Sequence, residues 1–542
     1  MRVLYYNWVD YLDPAGRGGG VSLYQRNLLA ALAEHAPQVQ PVFLSCGMAH
    51  DLRPGRSARA PRWRRLRTPR DAIPRHEIVN SGLLSPAHAD FASPAQLDHA
   101  PTEAAILDFI DATGPYDVIH LNGLEGIPAN VLARIRARWP DTRLVLSLHN
   151  YYPLCPQVNL WREERVHCDD FAGGRHCLTC LPLRANPRVV RSAYGVETAL
   201  ARLGAGPGTA AFDRALLPLM KLGWHSLRRL AQARQRLRAP QPDAEPDAAP
   251  APDAAGQAAA MAERRRRMVG LINDQCDLVL CVSDRVRAIA ARHGIAPGIL
   301  RTSYIGTAQA GSWARTAPRD SFLADDGTLR LAYLGYMRAD KGFFFLLDAL
   351  DALPDAMAAR LHLTVAAAAR PGEAMDRLRA LAPRLAGLRH LNGYSHAGLD
   401  ALLAGVDLGV VPVLWEDNLP QVAIEMHARH IPLLCADRGG ARELGRCDAL
   451  VFRAGDSADF ARALGRVLDG QVTPADYFAR AMAPVDMVTH LDALMALYAD
   501  VSPGTGANRA PPGPGAGRAP PGPPRPSATP GAKAVSPRDG IV

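Results

Sequence analysis

The chain has 542 residues, 48% of them apolar, 6% aromatic and 21% charged, and a formal charge of +9. These fractions belong to an ordinary soluble globular protein and exclude collagen-like, wholly disordered and disulfide-scaffold classes, while the length predicts two or three domains. The charge is uneven: residues 1–269 hold 34 Lys and Arg against 25 Asp and Glu, whereas residues 270–542 hold 28 of each. Two readings of the basic half stand, an anionic partner or an arginine-rich composition without a partner.

In chain order, residues 3–7 read as a first β-strand, because MRVLYYNWVDYLDP has too short an apolar run, broken by Asn7 and Asp10, for an export signal. The loop AGRGGG follows, then a helical pattern over 21–35 and a strand over 41–45. Residues 53–75 hold nine Arg around Trp63 with neither hydrophobic period, which predicts a mobile segment. Strands are expected at 116–121, 144–149 and 278–282, with a helix at 126–138. The Pro/Ala/Asp run 239–260 reads as an extended, solvated insertion. A second series of strands follows at 329–335, 361–366, 406–411, 432–436 and 450–452, with helices at 341–353, 420–429 and 457–468. From Ser502 onward 11 Pro and 8 Gly fill 19 of 41 positions, which predicts a disordered tail.

Repeated βα units imply parallel sheets covered on both faces. The expected fold class is therefore α/β, with two doubly wound Rossmann-like domains: 1–307, carrying insertions near 50–76 and 203–265 and a Cys-rich segment 155–180, and 308–485. Ligands of such sheets bind beyond the carboxyl ends of the strands. No stretch reaches the ~20 apolar residues of a membrane span. Nine cysteines without an export signal fit a reducing compartment, so the expected location is cytoplasmic, with the inner membrane face as an alternative.

Three places carry chemistry. Gly18, Gly19 and Gly20 before a helix suit either a phosphate approaching the backbone or a structural turn; no dinucleotide fingerprint is met. Gly335 at a strand end is followed by Arg338 and Lys341, two cations beside a helix start that suit a diphosphate or simply face solvent. In WEDNLPQVAIEMHARH, Asp417 and Glu425 lie eight apart, with the amides of Asn418 and Leu419 at a helix start. Glu425, flanked by Val422, Ala423, Ile424 and Met426, can accept two hydroxyls of a sugar diol.

The ordered set of the N-terminal glycines, the strand-ending His149, G-x-x-R-x-x-K-G at 335–342, acid-x7-Glu at 417–425 and Gly439-Gly440 before Glu443 resembles glycosyltransferase family 4 over residues 1–500, outside the insertions. The resemblance implies a retaining, nucleotide-sugar-dependent enzyme of GT-B fold that makes a cell-surface polysaccharide or glycoconjugate on a saccharide or lipid-linked acceptor. It assigns Arg338 and Lys341 to the donor diphosphate and Glu425 to the ribose. The donor sugar would be held by Asp417 with the amides of Asn418 and Leu419, and Gly19 and Gly20 would also touch the donor. His149 would lie near the transferred sugar, and a final helix over 486–501 would return to the N-terminal domain. The family's first acid is usually Glu; here Asp417 stands there with Glu416 before it, so either acid could fill the role. A non-catalytic sugar-nucleotide-binding scaffold is the alternative. Nucleic acid is not an expected partner, since no reading motif accompanies the basic residues.

No cofactor is required by this reading. Cys155, Cys168, Cys177 and Cys180 equal the ligand number of a tetrahedral zinc, with a C-x2-C pair and with His167 and His176 as alternates, so a structural zinc and reduced thiols both stand as readings. The Arg-rich run, with Trp63, is a candidate contact to anionic lipid or a lipid-diphosphate acceptor.

Overall fold

The computed structural model describes residues 1–52, 60–66, 73–181, 184–216, 218, 253–369 and 372–500. The expected disordered tail, most of the 239–260 insertion and two parts of the Arg-rich run lie outside these. In chain order the first ten strands are β1 (Arg2–Asn7), β2 (Gln40–Ala49), β3 (Arg62–Leu66), β4 (Arg75–Val79), β5 (Val118–Leu121), β6 (Arg143–Leu148), β7 (Trp161–Arg162), β8 (Val166–His167), β9 (Leu278–Cys281) and β10 (Leu300–Thr302). Eight form one sheet in the order β10, β9, β6, β5, β1, β2, β4, β3, parallel except where β3 runs against β4; β7 and β8 pair with each other. The central strands are buried along their whole length, as Val118, Ile119, His120 and Leu121 of β5 are, because helices cover both faces.

The second sheet comprises β11 (Leu329–Gly335), β12 (Leu361–Ala367), β13 (Gly387–Leu391), β14 (Leu408–Val411), β15 (Leu433–Ala436) and β16 (Val451–Phe452). Its order is β13, β12, β11, β14, β15, β16, parallel throughout. The protein is thus two doubly wound Rossmann-like domains facing across a cleft, the expected fold class. The helix Met487–Asp500 lies on the first domain: Tyr498 Oη meets His120 Nδ1 at 2.5 Å and His490 Nε2 meets Tyr24 Oη at 2.8 Å. Among the described residues no helix is long and apolar enough to cross a membrane.

Two expectations are corrected. Residues 62–66, expected to be mobile, form the edge strand β3. Arg62 pairs with Asp51, Arg64 with Glu77, and Trp63 donates its indole N–H to Asp108 Oδ2 at 2.8 Å while packing edge-on to Phe109. Cross-strand pairing and neutralised charge order a run whose composition alone reads as loop. Residues 254–260, expected to be extended, are the first turns of the helix Ala254–Gln275. Beyond Pro252 the run contains no proline, and its alanines are the strongest helix formers.

Candidate functional site

A cavity of about 620 Å³ opens between the two domains, at the carboxyl ends of β1, β11 and β14. The helix Gly19–His35 begins at its wall. It starts two residues earlier than the hydrophobic pattern indicates, so Gly19 and Gly20 are its first residues; a Cβ on Gly20 would stand 3.3 Å from Gln421 across the cleft. The glycines let the two domains approach here.

Across the cleft, β11 ends at Gly335, and the loop to the helix Phe343–Asp351 carries both predicted cations. Gly342 caps that helix at φ 72°, where a Cβ would strike the carbonyl of Pro412; only glycine fits. Lys341 lines the cavity, its Nζ 2.6 Å from Asp417 Oδ2 and 4.9 Å from the Trp415 ring centroid. Arg338 does not line it. Its guanidinium is held by Asp340, Nε to Oδ1 at 2.9 Å and NH2 to Oδ2 at 2.8 Å, leaving the side chain half exposed outside the wall. The short spacing from Arg338 to Asp340 makes that local pair.

After β14 the chain turns through Trp415, Glu416, Asp417 and Asn418 into the helix Gln421–His427. Asp417, Asn418, Leu419 and Glu425 all line the cavity. The N–H groups of Asn418 and Leu419 make no hydrogen bond among the described residues, and the buried Asn418 Oδ1 and Trp415 Nε1 also lack partners. Glu425 is 2% exposed and accepts the Tyr394 hydroxyl at 2.9 Å, with His396 Nε2 3.0 Å from its other oxygen. Burial, with Glu425 beside it, pushes the Tyr394 phenol up, so it stays a donor.

Glu416 points the other way. It is fully buried at the seam between the domains, where it accepts Arg285 Nε at 2.8 Å and a second Arg285 nitrogen, the Gly439 N–H at 2.9 Å and Arg438 at 3.2 Å. Burial alone would raise its carboxyl; these donors override it and hold it at about 2. Of the two acids, Asp417 faces the cavity and Glu416 the seam. Gly439, at φ 72°, lies so close that a Cβ there would overlap the Asp417 carbonyl. Glu443, three residues beyond Gly440, crosses the seam to accept the N–H groups of Asp284 at 2.9 Å and Arg285 at 2.7 Å. It thus caps the helix Asp284–Arg292 of the other domain. The Ser283 hydroxyl donates to the Asn418 carbonyl at 2.8 Å, and Asn418 Nδ2 to the Leu148 carbonyl at 3.3 Å. Four contacts thus tie the 416–418 loop to the first domain.

His149 sits one residue past β6, at the cavity wall, with Nε2 3.0 Å from Asn122 Oδ1 and its ring 5.3 Å from that of Tyr24. Burial, with His490 near, pulls its imidazole down to about 4, so it is neutral at pH 7. It can polarise or orient a group but does not supply a cation.

The structure therefore gathers Gly19, Gly20, His149, Lys341, Asp417, Asn418, Leu419 and Glu425 around one cavity and leaves Arg338 at its outside. Sequence reasoning missed Tyr394 and His396, for which no signal existed, and the Arg285–Glu416–Glu443 seam, for which Glu416 and Glu443 were visible without their partner.

The cysteine segment follows β6 in the first domain. Cys155, Cys177 and Cys180 are buried, Cys168 half-buried, and all four are free thiols. Burial, with the neighbouring thiols, raises Cys177 to about 11 and Cys180 to about 12. Among the described residues no group of three or more His, Cys, Asp or Glu is arranged to hold a metal ion. The segment covers the seam: His167 lies 3.8 Å from Glu416, and Asp169 lies 3.7 Å from Arg438.

Residues 328–470 match the family model of glycosyl transferases group 1, which makes the C-terminal domain a glycosyl transferases group 1 domain. No curated protein sequence matches the chain. Among solved structures, HepE of Anabaena in complex with UDP is 14% identical, with 92% of this chain and 100% of that one covered and a TM-score of 0.50. Sucrose-phosphate synthase from Thermosynechococcus elongatus is 15% identical, with 92% and 98% covered and a TM-score of 0.49. A UDP-forming α,α-trehalose-phosphate synthase from Burkholderia vietnamiensis is 13% identical, with 92% and 100% covered and a TM-score of 0.49. At such identities the likeness is one of fold, the GT-B pair of facing Rossmann-like domains.

Proposed function

We propose that the chain is a retaining glycosyltransferase that moves a hexosyl group from a nucleoside diphosphate sugar to a saccharide or lipid-linked acceptor, in the synthesis of a cell-surface polysaccharide or glycoconjugate on the cytoplasmic side of the membrane. The observation that carries the reading is the convergence on one interdomain cavity of Lys341, the N–H groups of Asn418 and Leu419, unpaired among the described residues, and a buried Glu425 held by the Tyr394 hydroxyl. The glycosyl transferases group 1 match over residues 328–470 includes all of these.

In this reading Glu425 accepts the ribose hydroxyls. Lys341 turns from Asp417 to the diphosphate when the donor enters, and the freed Asp417 accepts a hydroxyl of the donor sugar. The bond from the sugar C1 to the diphosphate oxygen breaks, the acceptor hydroxyl oxygen bonds to C1 on the same face, and its proton passes to the released diphosphate. Negative charge grows on the leaving group, so the Asn418 and Leu419 amides, fixed beforehand, and Lys341, once turned to the diphosphate, favour the transition state over the ground state. Arg338 reaches the diphosphate only by leaving Asp340, and we assign it the lesser part.

Release of free nucleoside diphosphate across a panel of UDP-, GDP- and ADP-sugars, with the UDP-sugars first because HepE was solved with UDP, tests the reading. Turnover with one donor, lost in Lys341→Ala and Glu425→Ala, is the expected result. Donor binding without turnover on any acceptor supports the scaffold instead, and neither binding nor turnover overturns both.

A further inference from the structure

A second cavity, of about 360 Å³, lies wholly in the first domain beside the carboxyl ends of β1 and β2, with the helix Pro187–Arg202 along one side. The loop 13–17 separates it from the interdomain cavity, and Asp13 lines both. A molecule seated in it would stand next to whatever fills the first cavity.

Its described wall is charged in a particular way. It carries four carboxylates, Asp10, Asp13, Glu77 and Glu197, and two guanidiniums, Arg17 and Arg64. Both guanidiniums are committed. Arg17 gives its N–H, its Nε and one terminal nitrogen to Asp13, and its other terminal nitrogen to Glu197 at 2.6 Å. Arg64 gives its Nε and one terminal nitrogen to Glu77, and Asp10 is matched by Arg75. An incoming phosphate or carboxylate meets a wall of four carboxylates against two guanidiniums already paired with them, so like charge opposes it in a partly buried place. A hydroxyl meets no such cost, because a carboxylate bound on one side still offers lone pairs on the other. The half-buried indole of Trp8, also in the wall, supplies a flat apolar face of the kind on which the C–H face of a pyranose packs.

We propose that this second cavity seats the acceptor as an uncharged sugar ring and discriminates against phosphorylated or carboxylated ones. The proposal rests on the donor reading of the first cavity for its catalytic meaning, but the binding preference stands by itself. It reverses what net charge suggests: the basic surplus of this half is consumed by its own carboxylates at the place where an acceptor would sit.

Saturation-transfer NMR on the full chain, with and without UDP, tests it with methyl glucoside, methyl mannoside and methyl galactoside against glucose 6-phosphate, mannose 6-phosphate and galacturonate. At least one neutral glycoside is expected to bind at millimolar concentration and at least tenfold more tightly than the charged form of the same sugar. The signal should be lost in Trp8→Ala and reduced in Glu197→Gln, which keeps an amide oxygen for Arg17 and whose fold is checked by its unfolding midpoint. Charged sugars binding as well as neutral ones, neutral sugars binding equally to Trp8→Ala and Glu197→Gln, or no neutral glycoside binding at all would each overturn it. UDP titration of the same samples reports on the donor reading separately. Absent UDP binding together with Trp8-dependent binding of a neutral sugar overturns the donor reading and upholds this one.

Discussion

Glu416 and Asp417 are adjacent acids on one loop, and the regions they serve differ in every physical respect. At the seam, Glu416 is dry, saturated with donors from both domains and held far below the ordinary carboxylate range. At the cavity, Asp417 has a single cationic partner, Lys341, beside amides and an indole N–H that have none. The seam is finished and the cavity is not. A protein that completes hydrogen bonding in one place and leaves it incomplete a residue away has fixed a loop in order to present it.

The contrast breaks most directly at the seam. Glu416→Ala strands Arg285 and Arg438 and should cost about 3 kcal/mol or more of stability, seen as a lowered unfolding midpoint in urea, because removing one partner of a buried pair leaves the other uncompensated. Lys341→Ala should weigh the other way: the midpoint falls less, because Asp417 loses one partner where Glu416→Ala strands two arginines, while nucleotide release falls roughly 100-fold or more, the size of a lost charge at the leaving group.

Acid should separate the regions as well. His149, His427 and His490 are held at about 4 in the fold against an ordinary value near 6.5, and His120 at about 3. The unfolded chain therefore binds more protons between those values, so stability is full above about pH 6.5 and declines as pH falls towards 4. The low Glu416 value adds a second loss, between about 4.5 and 2, as its carboxylate is protonated. Thermal midpoints across pH 7 to 4 should fall steadily; a flat profile would deny that these imidazoles are buried neutral. The smallest effect is expected from Tyr394→Phe, which removes the hydroxyl donor to Glu425 and should raise the donor KM only about threefold to tenfold with kcat nearly unchanged.

The fold was legible because parallel strands buried on both faces leave continuous apolar runs, and β1, β6, β11 and β12 were found from them nearly to the residue. Strand β3 was not, since an edge strand made of RWRRL draws its order from Asp51, Glu77 and Asp108, which lie far away in sequence. The site divides the same way. Lys341, Asp417 and Glu425 were readable because each sits at a fixed offset from a strand end or helix start. Arg338 pairs instead with Asp340, because the spacing that suits a diphosphate also suits an acid two residues on. Tyr394 and His396 were invisible, as nothing local marks a residue whose task is to aim a carboxylate on another helix. Net charge carries no information on arrangement: around the second cavity the arginines of the first half are paired with carboxylates.

The central claim is that the unfinished region is a nucleoside diphosphate sugar site. Isothermal titration of UDP, GDP and ADP into the wild type, Lys341→Ala and Glu425→Ala tests it most directly. One nucleotide should bind the wild type with a stoichiometry of one and should be weakened at least tenfold by either substitution. Binding that ignores both substitutions, or no binding by any of the three nucleotides, would contradict it.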